Sequence, residues 1–238
     1  TLLVKDLVPG GGSALRFRSF TNANGILFFL TWTPMTIDLW KSGGNNSNTI
    51  LLKQFSRSEL LAPEVTEMKP FQNGVVFVLN TKQFGREPWI SDGTAAGTHL
   101  LKDIIPGSNG SFPVDFTNYN GFLFFAASTA EQGHELWRSN GTESGTTLFQ
   151  DIQPGPKSSG VSDFRVFNNL LYFGATDDRH GAELWRTNGT PGAARLVNDL
   201  NPGTASSNAI PRTIFNGNLI LTVARSSRIY KMDPAEKF

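Results

Sequence analysis

Residues 164–173 read FRVFNNLLYF, in which apolar and polar residues alternate into an Asn-Asn pair and out again. This pattern predicts a β-hairpin, because a type I′ turn needs positive φ at both central positions and Asn and Gly adopt it most readily. Similar pairs recur at intervals of 49, 47, 48 and 48 residues: Asn24-Gly25, Asn73-Gly74, Asn120-Gly121, Asn168-Asn169 and Asn216-Gly217. The chain is therefore predicted to repeat one β-rich unit five times.

A second series of aromatic residues supports the same count. Its intervals are 49, 48, 48 and 45, at Trp40, Trp89, Trp137, Trp185 and Tyr230. In the fourth unit the hairpin supplies strands a and b, GAELWR (181–186) supplies strand c, and ARLVNDL (194–200) supplies strand d. Asn188-Gly189, between strands c and d, is interpreted as a second type I′ turn. Four short antiparallel strands in about 48 residues are typical of a propeller blade.

The predicted fold is all-β: a single-domain five-bladed β-propeller with four antiparallel strands per blade. The N-terminal TLLVKDL (1–7) matches strand d at LLKDI (100–104) and LFQDI (148–152), so we expect it to complete the last blade and close the ring three plus one. A linear row of five sheets is the alternative. The predicted blades are 13–57, 62–106, 112–154, 161–202 and 210–233 plus 1–7.

Composition excludes several classes of function. Twenty-one Lys and Arg balance 20 Asp and Glu, so the net charge of +1 disfavours general nucleic-acid binding. There is no cysteine, which excludes a disulfide scaffold and a thiolate metal site. The longest apolar stretch, 25–30, is far too short to span a membrane. We predict no cofactor, no metal and no nucleic-acid partner.

The segments GHELWRSNGTESGTT (133–147) and GAELWRTNGTPGAA (181–194) resemble the bacterial ELWxxDGT repeat proteins. The resemblance extends over all five units, but it is eroded in the first, DLWKSGG (38–44), and in the fifth, which keeps only RIYKMD. It implies repeat propellers that are secreted or exposed at the surface, so an extracytoplasmic location is expected. It supports the fold more than any function.

Strand c repeats a Glu-x-Trp pair, whose two side chains share one face of the strand. A carboxylate beside a flat indole is a common arrangement in sugar-binding sites. The alternative is structural: the indole packs between blades and the carboxylate bonds a backbone amide. The candidate ligand-binding residues are Glu87, Trp89, Glu135, Trp137, Glu183 and Trp185.

The Asp/Asn-Gly-Thr segments after strand c (92–94, 140–142 and 188–190) could hold calcium or carry glycans, but we interpret them as structural turns. The loops between strands b and c differ in every unit and are predicted to share one rim. A unique partner needs a unique surface, and we expect it to touch Trp32 or Phe84 unless these rings fold back over the blade. The candidate partner contacts are Trp32, Phe84, His134, Arg179 and His180.

Catalysis is a minor alternative. Asp115 and Asp163 occupy equivalent positions in neighbouring units, as a glycosidase-like carboxylate pair would require. The sequence otherwise predicts a non-catalytic extracellular or surface recognition module, lectin-like, that binds a glycan or a protein partner. The further alternative is a structural scaffold or accessory subunit of a larger assembly.

Overall fold

The structure is a computed structural model that describes residues 1–7, 15–223 and 229–232, without the side chains of residues 62–64 and 66. This part of the chain is all-β, with nineteen strands, one short 3-10 turn and no α-helix. It contains no helix long and apolar enough to cross a membrane. The chain divides into two compact units, Thr1–Phe112 and Pro113–Phe238.

The first unit contains two antiparallel sheets of four strands each, paired in chain order. Their strands are β1 (Arg16–Ala23), β2 (Ile26–Trp32), β3 (Thr36–Ser42) and β4 (Ile50–Ser56), then β5 (Leu60–Phe71), β6 (Gly74–Thr81), β7 (Gly85–Ser91) and β8 (Thr98–Leu100).

The second unit contains two further four-stranded sheets and one described with three strands. The third sheet is β9 (Val114–Tyr119), β10 (Phe122–Thr129), β11 (Gly133–Ser139) and β12 (Thr147–Gln150). The fourth is β13 (Ser162–Phe167), β14 (Leu170–Asp177), β15 (Gly181–Thr187) and β16 (Arg195–Asn198), and the fifth is β17 (Ile210–Phe215), β18 (Asn218–Thr222) and β19 (Ile229–Met232). Repeated four-stranded antiparallel sheets confirm the all-β prediction and are consistent with a propeller-like fold.

The first turn of each sheet follows the predicted chemistry, with one shift. Four of the five predicted pairs have positive φ at both residues, for example 49° at Asn120 and 78° at Gly121. In the second sheet the turn is instead Gln72-Asn73, because Phe71 pairs with Gly74. A Cβ on Gly74 would lie 1.8 Å from the carbonyl oxygen of Ser91, so that glycine is required by close strand packing.

The connections between the third and fourth strands differ from the predicted type I′ turns. Between β11 and β12 the chain makes a longer loop, in which Asn140 Oδ1 accepts hydrogen bonds from Thr142 N and Oγ1 at 3.0 and 2.7 Å. A Cβ on Gly145 would lie 1.9 Å from the same Asn140 oxygen. The Asp/Asn-Gly-Thr segments therefore build the loop itself, which supports their structural interpretation.

The core lies between consecutive sheets within each unit. In the first unit Phe28 and Leu30 of β2 pack with Phe77 of β6 in one buried cluster. In the second unit Phe124 of β10 packs with Phe173 of β14, and a further cluster joins the fourth sheet to the fifth. Within each unit, consecutive sheets therefore bury apolar side chains against one another, as packed sheets do.

The predicted closing strand is not found. Residues 1–7 form no strand, and the fifth sheet has three strands in the described part of the chain. Instead the Lys5 ammonium donates to the carbonyl oxygen of Thr49 at 2.8 Å, and Leu7 lines a pocket with Phe17. The ammonium thus bonds the segment that precedes β4, whereas Leu2 and Leu3 are 92 and 83% exposed. Residues 225–227, which the repeat spacing places between strands b and c of the last unit, lie outside the described residues.

Candidate functional site

Strand-c glutamates tie each sheet to the segment that follows it. All three are buried, and each accepts a hydrogen bond from the hydroxyl of a serine 24 residues later. The Oγ–Oε2 distances are 2.5, 2.7 and 2.5 Å for Glu87–Ser111, Glu135–Ser159 and Glu183–Ser207. The carboxylates therefore fasten the connections between sheets.

Glu135 shows how completely these oxygens are used. They accept backbone N–H groups from Ile152 at 2.9 Å, Gln153 at 3.4 Å and Ser159 at 2.8 Å, besides the Ser159 hydroxyl. Burial raises the pKa of Glu135, although these hydrogen bonds oppose the change. Burial likewise raises the pKa of Glu87 to about 7.

The tryptophans of the same pairs are almost equally enclosed. Trp89, Trp137 and Trp185 are 8, 7 and 7% exposed, and their indole Nε1 atoms have no hydrogen-bond partner. The structure therefore gives no support to the Glu-x-Trp carboxylates as ligand groups, because they are buried and bond the chain's own donors, although the edge of Trp89 still borders the cleft described below. The residues of the three pairs are Glu87, Trp89, Glu135, Trp137, Glu183 and Trp185.

Both aromatic residues predicted at the rim fold back. Trp32 and Phe84 are half-buried and pack against the core cluster of the first unit. The Arg18 guanidinium lies 5.9 Å from the centre of the Trp32 ring. Neither ring stands out as a free contact at a loop tip, although Phe84 still lines a cleft.

That cleft, here named the aromatic cleft, lies in the first unit and has a volume of about 450 Å³. Its lining residues are Lys53, Gln54, Phe55, Ser58, Glu59, Leu60, Thr81, Lys82, Gln83, Phe84 and Trp89. Phe55 and Trp89 meet edge to face with ring centres 5.4 Å apart. The cleft combines aromatic rings with amide, carboxylate and ammonium groups.

The loops between the second and third strands share a feature that the 48-residue spacing could have shown. In each of the first four sheets, a side-chain oxygen of this loop accepts the backbone N–H three residues later. The acceptor is Thr33, Thr81 or Thr129 in the first three sheets and Asp177 in the fourth, and the donors are Thr36, Phe84, Gln132 and His180.

The fourth loop adds a side-chain pair to this turn. Asp177 Oδ2 lies 2.8 Å from His180 Nδ1, and Asp177 Oδ1 accepts the Arg179 N–H at 3.0 Å. Although burial opposes it, these hydrogen bonds hold the pKa of Asp177 below its ordinary value. Arg179 and His180 both line a pocket of about 370 Å³ in the second unit.

His134, the remaining predicted contact, lies elsewhere in the second unit. Its Nδ1 is 2.9 Å from Ser128 Oγ, and burial lowers its pKa while the Asp115 carboxylate opposes that change. The structure therefore brings together Arg179 and His180 but not all five predicted contacts.

Asp115 and Asp163 occupy irregular positions of β9 and β13, with φ of 62° and 59°. Asp115 Oδ2 accepts the Asp163 N–H at 3.2 Å, and Asp163 Oδ1 lies 3.9 Å from Arg212 Nη1. These contacts link the first strands of neighbouring sheets. The described residues contain no group of three or more His, Cys, Asp or Glu that could hold a metal ion.

No family model matches the sequence, and no curated protein is similar enough to count as a relative. Among solved structures, prolyl oligopeptidase B from Galerina marginata matches with a TM-score of 0.52 and 10% identity, over 91% of this chain and 34% of that one. The same enzyme bound to a 35mer substrate gives 0.51 and 11%, over 92% and 35%.

An alpha-L-arabinofuranosidase from Clostridium thermocellum covers 85% of this chain and 80% of its own, but its TM-score of 0.35 and 8% identity carry no argument. The chain spans about one third of the length of the prolyl oligopeptidase it matches. At these identities the likeness supports the fold alone.

Proposed function

We propose that this chain is a non-catalytic recognition module whose aromatic cleft binds a glycan. The observation that supports it is the composition of the cleft: the rings of Phe84 and Trp89 beside Gln54, Glu59 and Gln83 in a volume of about 450 Å³. Ligand sites combine apolar walls with a few polar groups that fix orientation. Sugar rings offer both an apolar face and hydroxyl groups to such a surface.

The five sheets would then be the blades of a β-propeller that presents its loops to the ligand. The ELWxxDGT-like segments favour this architecture and an extracytoplasmic location. In that setting the module would act at a cell surface or in a secreted assembly.

A glycan array followed by titration of the best glycan tests the proposal. Phe84→Ala removes the half-buried ring of the cleft and should weaken binding by about tenfold or more. Phe112→Ala, which removes a 51% exposed ring outside the cleft, is the matched control and should bind normally. Absence of binding to any glycan, or binding that Phe84→Ala leaves unchanged, would contradict the proposal.

A scaffold or accessory subunit is the second candidate, favoured by an exposed aromatic surface on the first sheet. Phe17 and Phe20 are 47 and 60% exposed, with ring centres 6.0 Å apart. Exposed apolar patches mark interaction surfaces in many proteins. Recovery of a stable protein partner that Phe20→Ser disrupts, with no glycan bound, would favour this function over the first.

A further inference from the structure

The pocket beside Arg179 and His180, here named the rim pocket, has chemistry that differs from the aromatic cleft. It lies in the second unit between residues 152–154, which follow β12, and the loop 177–180 that joins β14 to β15. Its lining residues are Ile152, Gln153, Pro154, Asp177, Asp178, Arg179 and His180. Charged and amide groups dominate this wall.

Asp177 makes more hydrogen bonds than its loop needs for folding. In the equivalent loops Thr33, Thr81 and Thr129 supply the single oxygen that accepts the N–H three residues later. Asp177 performs the same task at 2.6 Å, and its carboxylate also holds His180 Nδ1. The negative charge and the fixed imidazole are therefore additions to a turn that threonine already builds.

Acceptor and donor groups at the rim pocket are left without protein partners. Gln153 is 4% exposed, and its Oε1 has no hydrogen-bond partner. Its side chain bonds Asp178, so the amide nitrogen faces that carboxylate and the oxygen is directed away from it. The Arg179 side chain is exposed and forms no ion pair with any residue that the structure describes.

These groups select a class of ligand. A buried amide oxygen accepts a hydrogen bond from a hydroxyl or N–H group, and a guanidinium without an ion-pair partner binds a carboxylate bidentately. A neutral sugar would leave the Arg179 guanidinium without an ion-pair partner. A metal cation would be repelled by that guanidinium. Phosphate would bring up to two negative charges toward Asp177 and Asp178, whereas a carboxylate brings one.

We propose that the rim pocket binds a uronic acid, with its carboxylate on Arg179 and its hydroxyls on Gln153 Oε1 and the Asp177–His180 pair. Because Asp177 accepts from Nδ1, the Nε2 atom of His180 is available to a sugar hydroxyl. This site is independent of the proposed glycan site, since the aromatic cleft consists of residues from the other unit.

Calorimetric titration of the full chain with glucuronate and with glucose tests the proposal, because the two sugars differ at the carboxylate. Glucuronate should bind with a Kd on the order of 1 mM and glucose at least about tenfold more weakly. Arg179→Gln should abolish that difference. Asp177→Thr should keep the loop folded, as in the three equivalent loops, yet weaken glucuronate binding about tenfold.

Arg195→Gln, at an exposed position on β16, is the matched control and should bind glucuronate normally. Chemical shifts of the remaining residues should show that Asp177→Thr retains the fold. Equal binding of the two sugars, no binding of glucuronate at about 50 mM, or normal binding by both Asp177→Thr and Arg179→Gln would overturn the proposal.

Discussion

The first and third sheets both place a carboxylate and a tryptophan on strand c, but the hydrogen-bonded group is a different one in each. In the third sheet Glu135 is fully paired, whereas the Trp137 Nε1 has no partner. In the first sheet Asp38 is 7% exposed and its Oδ1 has no partner, whereas Trp40 Nε1 donates to Thr31 Oγ1 at 2.9 Å.

The difference follows from one methylene group and two hydroxyl groups. Aspartate is shorter than glutamate, and 24 residues after Asp38 the sequence has alanine, where a serine follows each of the three glutamates. Opposite the carboxylate, β2 has Thr31 while β10 has Ala127. The carboxylate is therefore the hydrogen-bonded group in the third sheet, and the indole is the hydrogen-bonded group in the first sheet, where the repeat sequence has diverged.

The largest effect expected from this comparison is that of Glu135→Ala. It would leave three backbone N–H groups without their acceptor and the Ser159 hydroxyl with only the His134 carbonyl at 3.2 Å, at a cost of about 4 kcal/mol in the free energy of unfolding. Urea unfolding measures it. Glu131→Ala, at an exposed position in the loop between β10 and β11, should change stability by less than about 0.5 kcal/mol. A loss below about 1 kcal/mol for Glu135→Ala would show that the carboxylate is not a fastening.

Glu87 should make stability depend on pH. Its pKa rises from an ordinary 4.5 to about 7 in the folded protein, so the folded state holds the proton more tightly. The contribution is full below about pH 4.5 and is lost as the pH rises through 7, up to about 3 kcal/mol. Glu87→Gln should flatten the decline between about pH 5 and pH 8 in urea unfolding, because glutamine does not titrate. The Ser111 hydroxyl can rotate to accept from the new amide, so the fold should be kept. Parallel pH profiles for the two proteins would contradict this.

The sequence contained the repeat but not all of its consequences. The Asn-Gly hairpins were predictable because the turn depends on two adjacent residues. In the second sheet the predicted turn was wrong by one residue, because Gly74 belongs to the strand and is needed there for close packing. The 24-residue link from Glu135 to Ser159 is visible in the sequence as a spacing, yet only the fold shows that it buries the carboxylate. The predicted closure by residues 1–7 is not found, because a strand-like pattern becomes a strand only when a sheet edge is available to pair with it, and residues 1–7 pair with none in the described part of the chain.

The candidate sites were less predictable for a related reason. Phe84 was singled out, but its place in the aromatic cleft depends on residues 53–60 from the neighbouring sheet. Arg179 and His180 were also singled out, while Gln153 was missed because its orphaned oxygen exists only after folding. Sites assembled from several elements need tertiary structure to be seen.

Asp38 offers a smaller effect of the opposite sign. Asp38→Asn removes a charge from a buried position whose Oδ1 has no donor, so we expect stability to rise by about 1 kcal/mol. Asp92→Asn is the matched control, because Asn140 and Asn188 occupy the equivalent turn positions, and it should be close to neutral. Destabilisation by Asp38→Asn in urea unfolding would show that the Asp38 charge is stabilised in the folded protein, which would contradict this prediction.

Thr31 should give the smallest effect. Thr31→Val keeps the side-chain volume but removes the acceptor of Trp40 Nε1, so the first sheet would acquire the unpaired indole of the other sheets. Since three tryptophans already tolerate that state, the cost should be about 0.5 to 1 kcal/mol, accompanied by a shift of the Trp40 indole N–H resonance. Thr176→Val, at a half-buried position of β14 whose hydroxyl makes no hydrogen bond within the described residues, should leave stability nearly unchanged. If the two variants lose equal stability and the indole resonance stays in place, the satisfied tryptophan is not what distinguishes the first sheet from the third.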